Sequence, residues 1–265
     1  MREFPFIRTS VFTDDRFAFS GNQLATFWNL TESDMTTKEM QGITREFNLS
    51  ETTFVLPATD EISIRKVRIF TPGSEIPFAG HPTLGTAFVL KRQGIIPTDA
   101  AKAYLGLGIG PTAVEFAKQD QVRMHQSKPQ LLEEYPDAAI MAKILGISPS
   151  TIADKWPMQF VSTGFPFLIV PLTSLEAIKA ISLDSKLLLE TFANAPSQAL
   201  VVFTLETAYP ESHAHVRMFA PSVGVLEDPA TGSAAGPLGA YLEIHNCIAK
   251  KAKGSETVLE QGYEM

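Results

Sequence analysis

The sequence contains almost no cysteine, because only Cys247 of its 265 residues is one. An internal disulfide is therefore excluded, and nothing indicates an oxidising compartment. No apolar run reaches the roughly 18 residues that a membrane-spanning helix needs. The first residues also lack the apolar core of a signal peptide. We therefore expect a cytoplasmic protein in which Cys247 is a packed thiol.

Basic residues are outnumbered by acidic ones. Lys and Arg total 22 and Asp and Glu total 29, which gives a net charge of -7. This balance argues against nucleic acid or an anionic membrane as a partner, and solubility is its simplest explanation. The 45% hydrophobic content is ordinary for a globular protein of one large or two small domains.

Several motifs of cofactor and metal chemistry are missing. The five histidines form no HExxH or comparable ligand set, so no zinc site is expected. There is no GxGxxG after a strand and no GxSxG nucleophile elbow. His213 and His215 alternate on a strand and are interpreted as part of a polar strand face. The sequence therefore predicts a site without metal or cofactor.

Two segments share one order of residues, namely an ionisable group, a glycine turn and a helix of small residues. They are 76–87, which contains Gly80 and His81, and 227–237, which contains Asp228. A helix start carries unpaired N–H groups and partial positive charge, which suit a substrate carboxylate or phosphate. Taken alone, the second segment is more simply a structural helix capped by Thr231 or Ser233. Together the segments predict two similar lobes whose helix starts face one cleft.

The hydrophobic pattern predicts an α+β fold, because strands and helices do not alternate regularly. The predicted helices are 36–47, 81–94, 137–145, 175–181 and 185–192. The predicted strands are 4–12 and 24–28 (a hairpin), 52–56, 62–70, 103–107, 112–116, 121–125, two within 156–172, 199–205, 214–219 and 258–261. A linker at 127–135 divides the chain into lobes 1–126 and 127–265, and a Pro/Gly loop precedes Asp228.

Glu51 stands at the mouth of a buried-type strand, between hydroxyl and apolar residues. Such a place can raise the pKa of a carboxyl and let it exchange protons near neutral pH. On local sequence alone, an exposed glutamate in a helix–strand loop is the simpler interpretation. By elimination, Glu51, His81 and Asp228 are the candidates for proton transfer on a carboxylate substrate.

Five segments together resemble the PhzF (phenazine biosynthesis-like) isomerase family of the diaminopimelate epimerase-like superfamily. They are 48–54, 70–72, 75–87, 217–221 and 227–237. The resemblance implies two pseudo-symmetric α+β lobes, each a curved, mostly antiparallel sheet around a central helix, with the site between them. Relatives usually continue past the last residues of this chain, so the last strands of the second lobe are expected to be missing.

The resemblance also implies residue roles. Glu51 matches the glutamate that shuttles a proton, and His81 and Asp228 match the site histidine and aspartate. Ser50 matches a neighbouring hydroxyl, while Gly232 and Ser233 match the carboxylate-binding helix start. We expect Gly80 and Thr231 to hold polar groups of the substrate. Superfamily racemases use two cysteines where this chain has Ala79 and Pro229, so a two-thiol racemase is excluded.

Two functions remain open from the sequence. The first is a cofactor-independent isomerase that transfers a proton on a small cyclic or unsaturated carboxylate, with Glu51 as general acid/base in the cleft. The alternative is a catalytically silent small-molecule-binding or regulatory protein of the same fold. Because homodimers are common in the resembled family, a homodimer is expected.

Overall fold

A computed structural model describes residues 2–17, 19–117, 121–248 and 256–265 of the chain. The chain forms two compact units. Unit 1 is Met1–Ser127 with Val223–Val225, and unit 2 is Lys128–Ser222 with Leu226–Met265. Each unit combines one large sheet with helices, so the expected α+β class is confirmed. In the described ranges no helix is long and apolar enough to cross a membrane.

Unit 1 contains an eight-stranded sheet in the order β1-β2-β3-β4-β6-β7-β8, with β5 also paired to β4. Most pairs are antiparallel, while β2–β3 and β4–β6 are parallel. The elements are β1 (Phe6–Val11), β2 (Asn22–Phe27), α1 (Thr37–Phe47), β3 (Glu51–Pro57), β4 (Arg65–Phe70), β5 (Glu75–Ile76), α2 (Gly80–Arg92), β6 (Lys102–Leu107), β7 (Gly110–Phe116) and β8 (Val122–Met124).

Unit 2 contains a seven-stranded sheet in the order β14-β13-β12-β11-β10-β9, with β15 also paired to β13. Its elements are β9 (Gln130–Glu134), α3 (Ala138–Leu145), β10 (Gln159–Ser162), β11 (Pro166–Pro171), α4 (Leu175–Lys179), α5 (Ser185–Thr191), β12 (Leu200–Thr204), β13 (Ala214–Ala220), β14 (Val225–Asp228), α6 (Gly232–Ile244) and β15 (Leu259–Gln261). Short 3-10 turns lie at Pro149–Thr151 and Pro221–Val223.

Helix α2 is the enclosed helix of unit 1. Ten of its thirteen residues are buried, and it packs on β1, β2, β3 and β8. A helix that is enclosed on all sides needs small residues where strands approach it closely, and Gly85 serves this purpose. A Cβ atom there would lie 2.6 Å from Leu24 Cδ2 and 2.9 Å from Val11 Cγ2.

Helices α1 and α3 begin and end within one residue of the predicted positions. Thr36 and Glu39 form a capping box at the start of α1, and Asn48 ends that helix in the left-handed conformation. In unit 2, Asp137 caps α3 and Gly146 ends it. Local capping chemistry therefore fixes these boundaries.

Each unit has its own apolar core. In unit 1 an aromatic cluster is built on Phe27, Phe54 and Phe70, whose rings stack or meet edge to face at 5.0 to 5.4 Å. In unit 2 the core lies between the sheet and helices α3, α4 and α5, with Leu168, Val202 and Leu188 among its fully buried members.

The structure corrects three predicted segments. The linker predicted at 127–135 contains strand β9, and the loop predicted before Asp228 contains strand β14. The strand predicted at 62–70 begins only at Arg65. Asp60 Oδ1 accepts the N–H groups of Ile62 and Ser63 and so closes a turn there. Residues 62–64 therefore lie in a turn before β4 and not in the strand.

Candidate functional site

The structure brings Glu51 and His81 together in unit 1. Glu51 is the first residue of β3 and His81 the second residue of α2. Glu51 Oε2 lies 3.4 Å from His81 Nε2, and the two side chains are only 12% and 3% exposed. The interpretation of Glu51 as an exposed loop residue is therefore wrong, because the start of β3 turns its side chain inward.

His81 is a neutral imidazole with a defined tautomer. Burial lowers the pKa of His81 to about 3, although a hydrogen bond to the backbone of Gln23 opposes this effect. Nε2 makes no hydrogen bond, so the bond to Gln23 uses Nδ1. Nδ1 therefore carries the proton that is donated to the Gln23 carbonyl, and Nε2 presents its lone pair toward Glu51.

A buried chain of hydroxyl groups joins the elements that carry this pair. Thr53 Oγ1 donates to Thr26 Oγ1 at 3.0 Å and lies 2.8 Å from Thr86 Oγ1. All three side chains are fully buried, one each on β3, β2 and α2. The bonds fix the beginning of β3 against α2, which holds the carboxyl and the imidazole at a constant separation.

The remaining candidates of unit 1 are Ser50 and Gly80. Ser50 is half-buried in the turn before Glu51, and Gly80 is the buried first residue of α2. Helix α2 begins after Ala79 without a side-chain cap, in contrast to α1. Its N-terminal turn thus keeps the partial positive charge that suits an anion.

The structure also brings Asp228 and Thr231 together in unit 2. Asp228 ends β14 and is buried. The Thr231 hydroxyl donates to Asp228 Oδ2. Thr231 occupies the N-cap position of α6, but neither it nor Ser233 caps the helix, so the predicted side-chain cap is wrong. The hydroxyl of Thr231 is instead committed to the carboxylate, while Gly232 and Ser233 form the buried first turn.

Gln261 is a site residue that sequence reasoning missed. Its Nε2 donates to the Asp228 carbonyl at 2.7 Å and to Thr231 Oγ1 at 2.9 Å. Its Oε1 accepts the Thr231 N–H at 3.2 Å. Gln261 ends the short strand β15, and no local pattern indicates that this strand lies beside Asp228.

Strand β14 is held beside β13 by a bidentate ion pair. Arg217 Nε and Nη2 donate to the two carboxylate oxygens of Glu227 at 2.7 and 2.8 Å. Arg217 Nη1 donates to the Ile178 and Ile181 carbonyls at 2.9 and 3.3 Å. Since Glu227 precedes Asp228, this anchor places the carboxylate at the end of the strand.

His215 is not part of a polar strand face, and that interpretation is wrong. It is fully buried, with Nδ1 2.6 Å from Glu260 Oε1 and Nε2 3.0 Å from Glu264 Oε1. Burial opposes its charge, but the hydrogen bonds and charges of the two glutamates outweigh burial and raise the pKa of His215. The three residues form a charged cluster that anchors β15 to β13.

Two further predictions concern metal ligands and the cysteine. Across the described residues, no three His, Cys, Asp or Glu side chains come together as metal ligands. Cys247 is buried, and burial raises the pKa of its thiol to about 11. It is therefore a protonated, packed thiol near neutral pH.

Comparisons with known proteins agree on one family. Residues 9–265 match the family described as phenazine biosynthesis-like protein. An uncharacterised isomerase of Mesorhizobium japonicum is 36% identical over 96% of this chain and 85% of its own. The trans-2,3-dihydro-3-hydroxyanthranilate isomerase of Pseudomonas fluorescens is 38% identical over 88% of this chain and 80% of its own. A PhzF-family phenazine biosynthesis protein of Bacillus anthracis has a similar structure (TM-score 0.82, 25% identity, 98% of this chain and 87% of that one).

Proposed function

The chain belongs to the phenazine biosynthesis-like family of isomerases, and from that premise we propose its reaction. It transfers a proton on a small cyclic or unsaturated carboxylate, without metal or cofactor, and Glu51 is the general acid/base. His81 orients Glu51 and favours its protonated form. Asp228 is the second ionisable group, and Ser50, Gly80, Thr231, Gly232 and Ser233 bind the substrate.

The observation that carries this proposal is the contact between Glu51 and a neutral His81. A lone pair on Nε2, 3.4 Å from Glu51 Oε2, repels a carboxylate and attracts a carboxylic acid. The pair therefore holds its proton on Glu51. Glu51 donates it to one carbon of the substrate, and the resulting carboxylate removes a proton from another carbon. The double bond moves, and Glu51 is protonated again.

The helix starts support a carboxylate substrate. Neither α2 nor α6 has a side-chain N-cap, although the four other α-helices of the described residues have one from Thr36, Asp137, Ser174 or Asp184. Both helices have thirteen residues and present the positive end of their dipole where the proposed binding residues lie. A substrate carboxylate would lower its energy at such a terminus.

The first compound to test is trans-2,3-dihydro-3-hydroxyanthranilate, after the name of the Pseudomonas fluorescens relative. We would follow its isomerisation and its deuterium uptake by proton NMR in deuterated water. The wild-type protein is expected to isomerise the compound and incorporate deuterium, whereas Glu51→Gln should lose at least about 100-fold in rate because a general acid/base is absent.

Glu115→Gln provides a matched control, because Glu115 forms an exposed pair with His125 at 2.9 Å in the same unit. It should keep wild-type activity. Equal rates for wild type and Glu51→Gln would overturn the catalytic assignment. Binding without isomerisation would favour the silent binding protein for this compound. Sedimentation equilibrium of the same samples tests the proposed homodimer.

A further inference from the structure

The side-chain amide of Gln261 has only one possible orientation. Its two backbone partners are a carbonyl, that of Asp228, and an N–H group, that of Thr231. The reverse orientation would set the amide oxygen against the carbonyl and the NH2 group against the N–H. The NH2 group therefore faces the Asp228 carbonyl, and its second hydrogen is directed at Thr231 Oγ1.

This orientation determines where the hydroxyl proton of Thr231 points. The hydroxyl has one hydrogen, and it already accepts a hydrogen bond from Gln261 Nε2. Its hydrogen is thus directed at its other partner, Asp228 Oδ2, which can accept it only with a lone pair. We propose that Gln261 is a positioning residue that turns the Thr231 hydroxyl toward Asp228 and keeps Asp228 a hydrogen-bonded carboxylate.

The strand that carries Gln261 is fixed well enough for this role. The preceding residue, Glu260, accepts the Ala208 and Tyr209 N–H groups at 2.6 and 3.1 Å and contacts His215. The following residue, Gly262, has a φ of 85°, and a Cβ atom there would lie 2.5 Å from the Pro229 carbonyl oxygen. Both neighbours thus hold Gln261 against the loop between β14 and α6.

The proposal deepens the proposed function, since it concerns the Asp228 group of the same site, but its main test does not require turnover. The carboxyl carbon of Asp228 is followed by carbon-13 NMR across a pH titration and assigned with Asp228→Asn. In Gln261→Glu the new carboxylate accepts the Thr231 hydroxyl, so Asp228 should titrate at a higher pH than in the wild type.

The added charge of Gln261→Glu also acts on Asp228 directly, and Thr231→Val separates the two effects. In the Thr231→Val background no hydroxyl remains, so Gln261→Glu should shift the Asp228 titration by less than half as much as in the wild-type background. Equal shifts in both backgrounds would overturn the proposal. If Gln261→Glu does not fold, Gln261→Met removes the donor without adding charge, and its shift should likewise be less than half as large in the Thr231→Val background.

Gln198→Glu is the matched control, because Gln198 is a half-buried glutamine of unit 2 that donates to the Leu189 carbonyl at 2.8 Å. It should leave the Asp228 titration unchanged, and a shift as large as that of Gln261→Glu would contradict the proposal. With the isomerisation assay, Gln261→Glu should lower kcat about tenfold, the effect of losing one hydrogen bond to a charged group. If the wild type does not isomerise the compound, only the proposed function is contradicted, because the carbon-13 titration of Asp228 still tests the positioning role of Gln261.

Discussion

At the scale of single residues, unit 1 contains two Glu–His pairs that differ in burial. Glu115 Oε1 and His125 Nε2 lie 2.9 Å apart on exposed side chains, and water screens their interaction. Glu51 Oε2 and His81 Nε2 lie 3.4 Å apart on side chains that are almost fully buried. Removal from water penalises the imidazolium, so the imidazole of the buried pair is neutral. The same residue types thus form an exposed surface contact in one place and a buried pair, which we propose as the acid/base, in the other.

The protonation state of His81 can be measured directly. Because burial lowers the pKa of His81 to about 3, the ring should stay neutral between pH 8 and pH 5, with its proton on Nδ1. Nitrogen-15 NMR of the ring should show one protonated and one unprotonated nitrogen over that range. An imidazolium signal that appears with a midpoint near pH 6.5 would contradict the assigned tautomer and charge.

His215 should make the free energy of unfolding depend on pH, and its pKa shift has the opposite direction to that of His81. Its pKa is raised in the folded protein, so its contribution is complete below the unfolded value of about 6.5 and is lost as the pH rises through the folded pKa. The pKa values of Glu260 and Glu264 are lowered, mainly by hydrogen bonds that outweigh burial. Their contribution is present above about 4.5 and is lost as the pH falls through the folded pKa.

The variant His215→Gln should therefore lower the free energy of unfolding most between about pH 5 and 6.5, by about 3 kcal/mol, since it leaves two buried carboxylates without their cation. The loss should shrink toward pH 9, as measured by urea unfolding at several pH values. His125→Gln removes the exposed histidine and should have little effect. A loss that is constant from pH 5 to 9 would show that the charge of His215 does not stabilise the fold.

At the scale of elements, α2 and α6 have the same length and the same uncapped start but different surroundings. Gly85 of α2 faces the sheet closely, as its contacts with Leu24 and Val11 show, whereas a Cβ atom on Gly239 of α6 would meet nothing within 4 Å. Gly85 is therefore required for packing in α2, while Gly239 only lowers the helix propensity of α6.

Alanine substitutions should have opposite effects in these two helices. Gly85→Ala should lower the free energy of unfolding by about 1 to 3 kcal/mol, because the added Cβ atom would crowd the fully buried Leu24 and the half-buried Val11. Gly239→Ala should raise it by about 0.5 to 1 kcal/mol. Urea unfolding of the two variants checks both values. A stabilised Gly85→Ala would show that Leu24 and Val11 can move aside to make room for the added methyl group.

At the scale of the whole molecule, local signals predicted most of the helices and strands, but not the contacts around Asp228. Capping residues such as Thr36 and Gly146 act within a few positions, so the sequence alone located the start of α1 and the end of α3. Gln261 and His215 depend on pairing between β13 and β15, which the hydrophobic pattern does not encode. The motif that singled out Asp228 could not show that an amide about 30 residues later orients its loop.

Pairing over a long separation also places Val223–Val225 in unit 1. The buried Thr71 hydroxyl donates to the Val223 carbonyl at 2.6 Å and accepts the Ser74 N–H at 3.1 Å. The Gly73 N–H donates to the same Val223 carbonyl at 3.3 Å. The Thr71 hydroxyl thus forms hydrogen bonds both within its own loop and to a segment about 150 positions further along the chain.

Thr71→Val keeps the shape of this side chain and removes its hydroxyl. The Ser74 N–H then loses its acceptor and the Val223 carbonyl loses a donor, so the free energy of unfolding should fall by about 1 to 3 kcal/mol. Thr71→Ser keeps the hydroxyl and is the matched control, with a smaller loss from one missing methyl group. Urea unfolding compares the two. If Thr71→Val were no less stable than Thr71→Ser, packing of the side chain and not its hydrogen bonds would hold Val223–Val225 in unit 1.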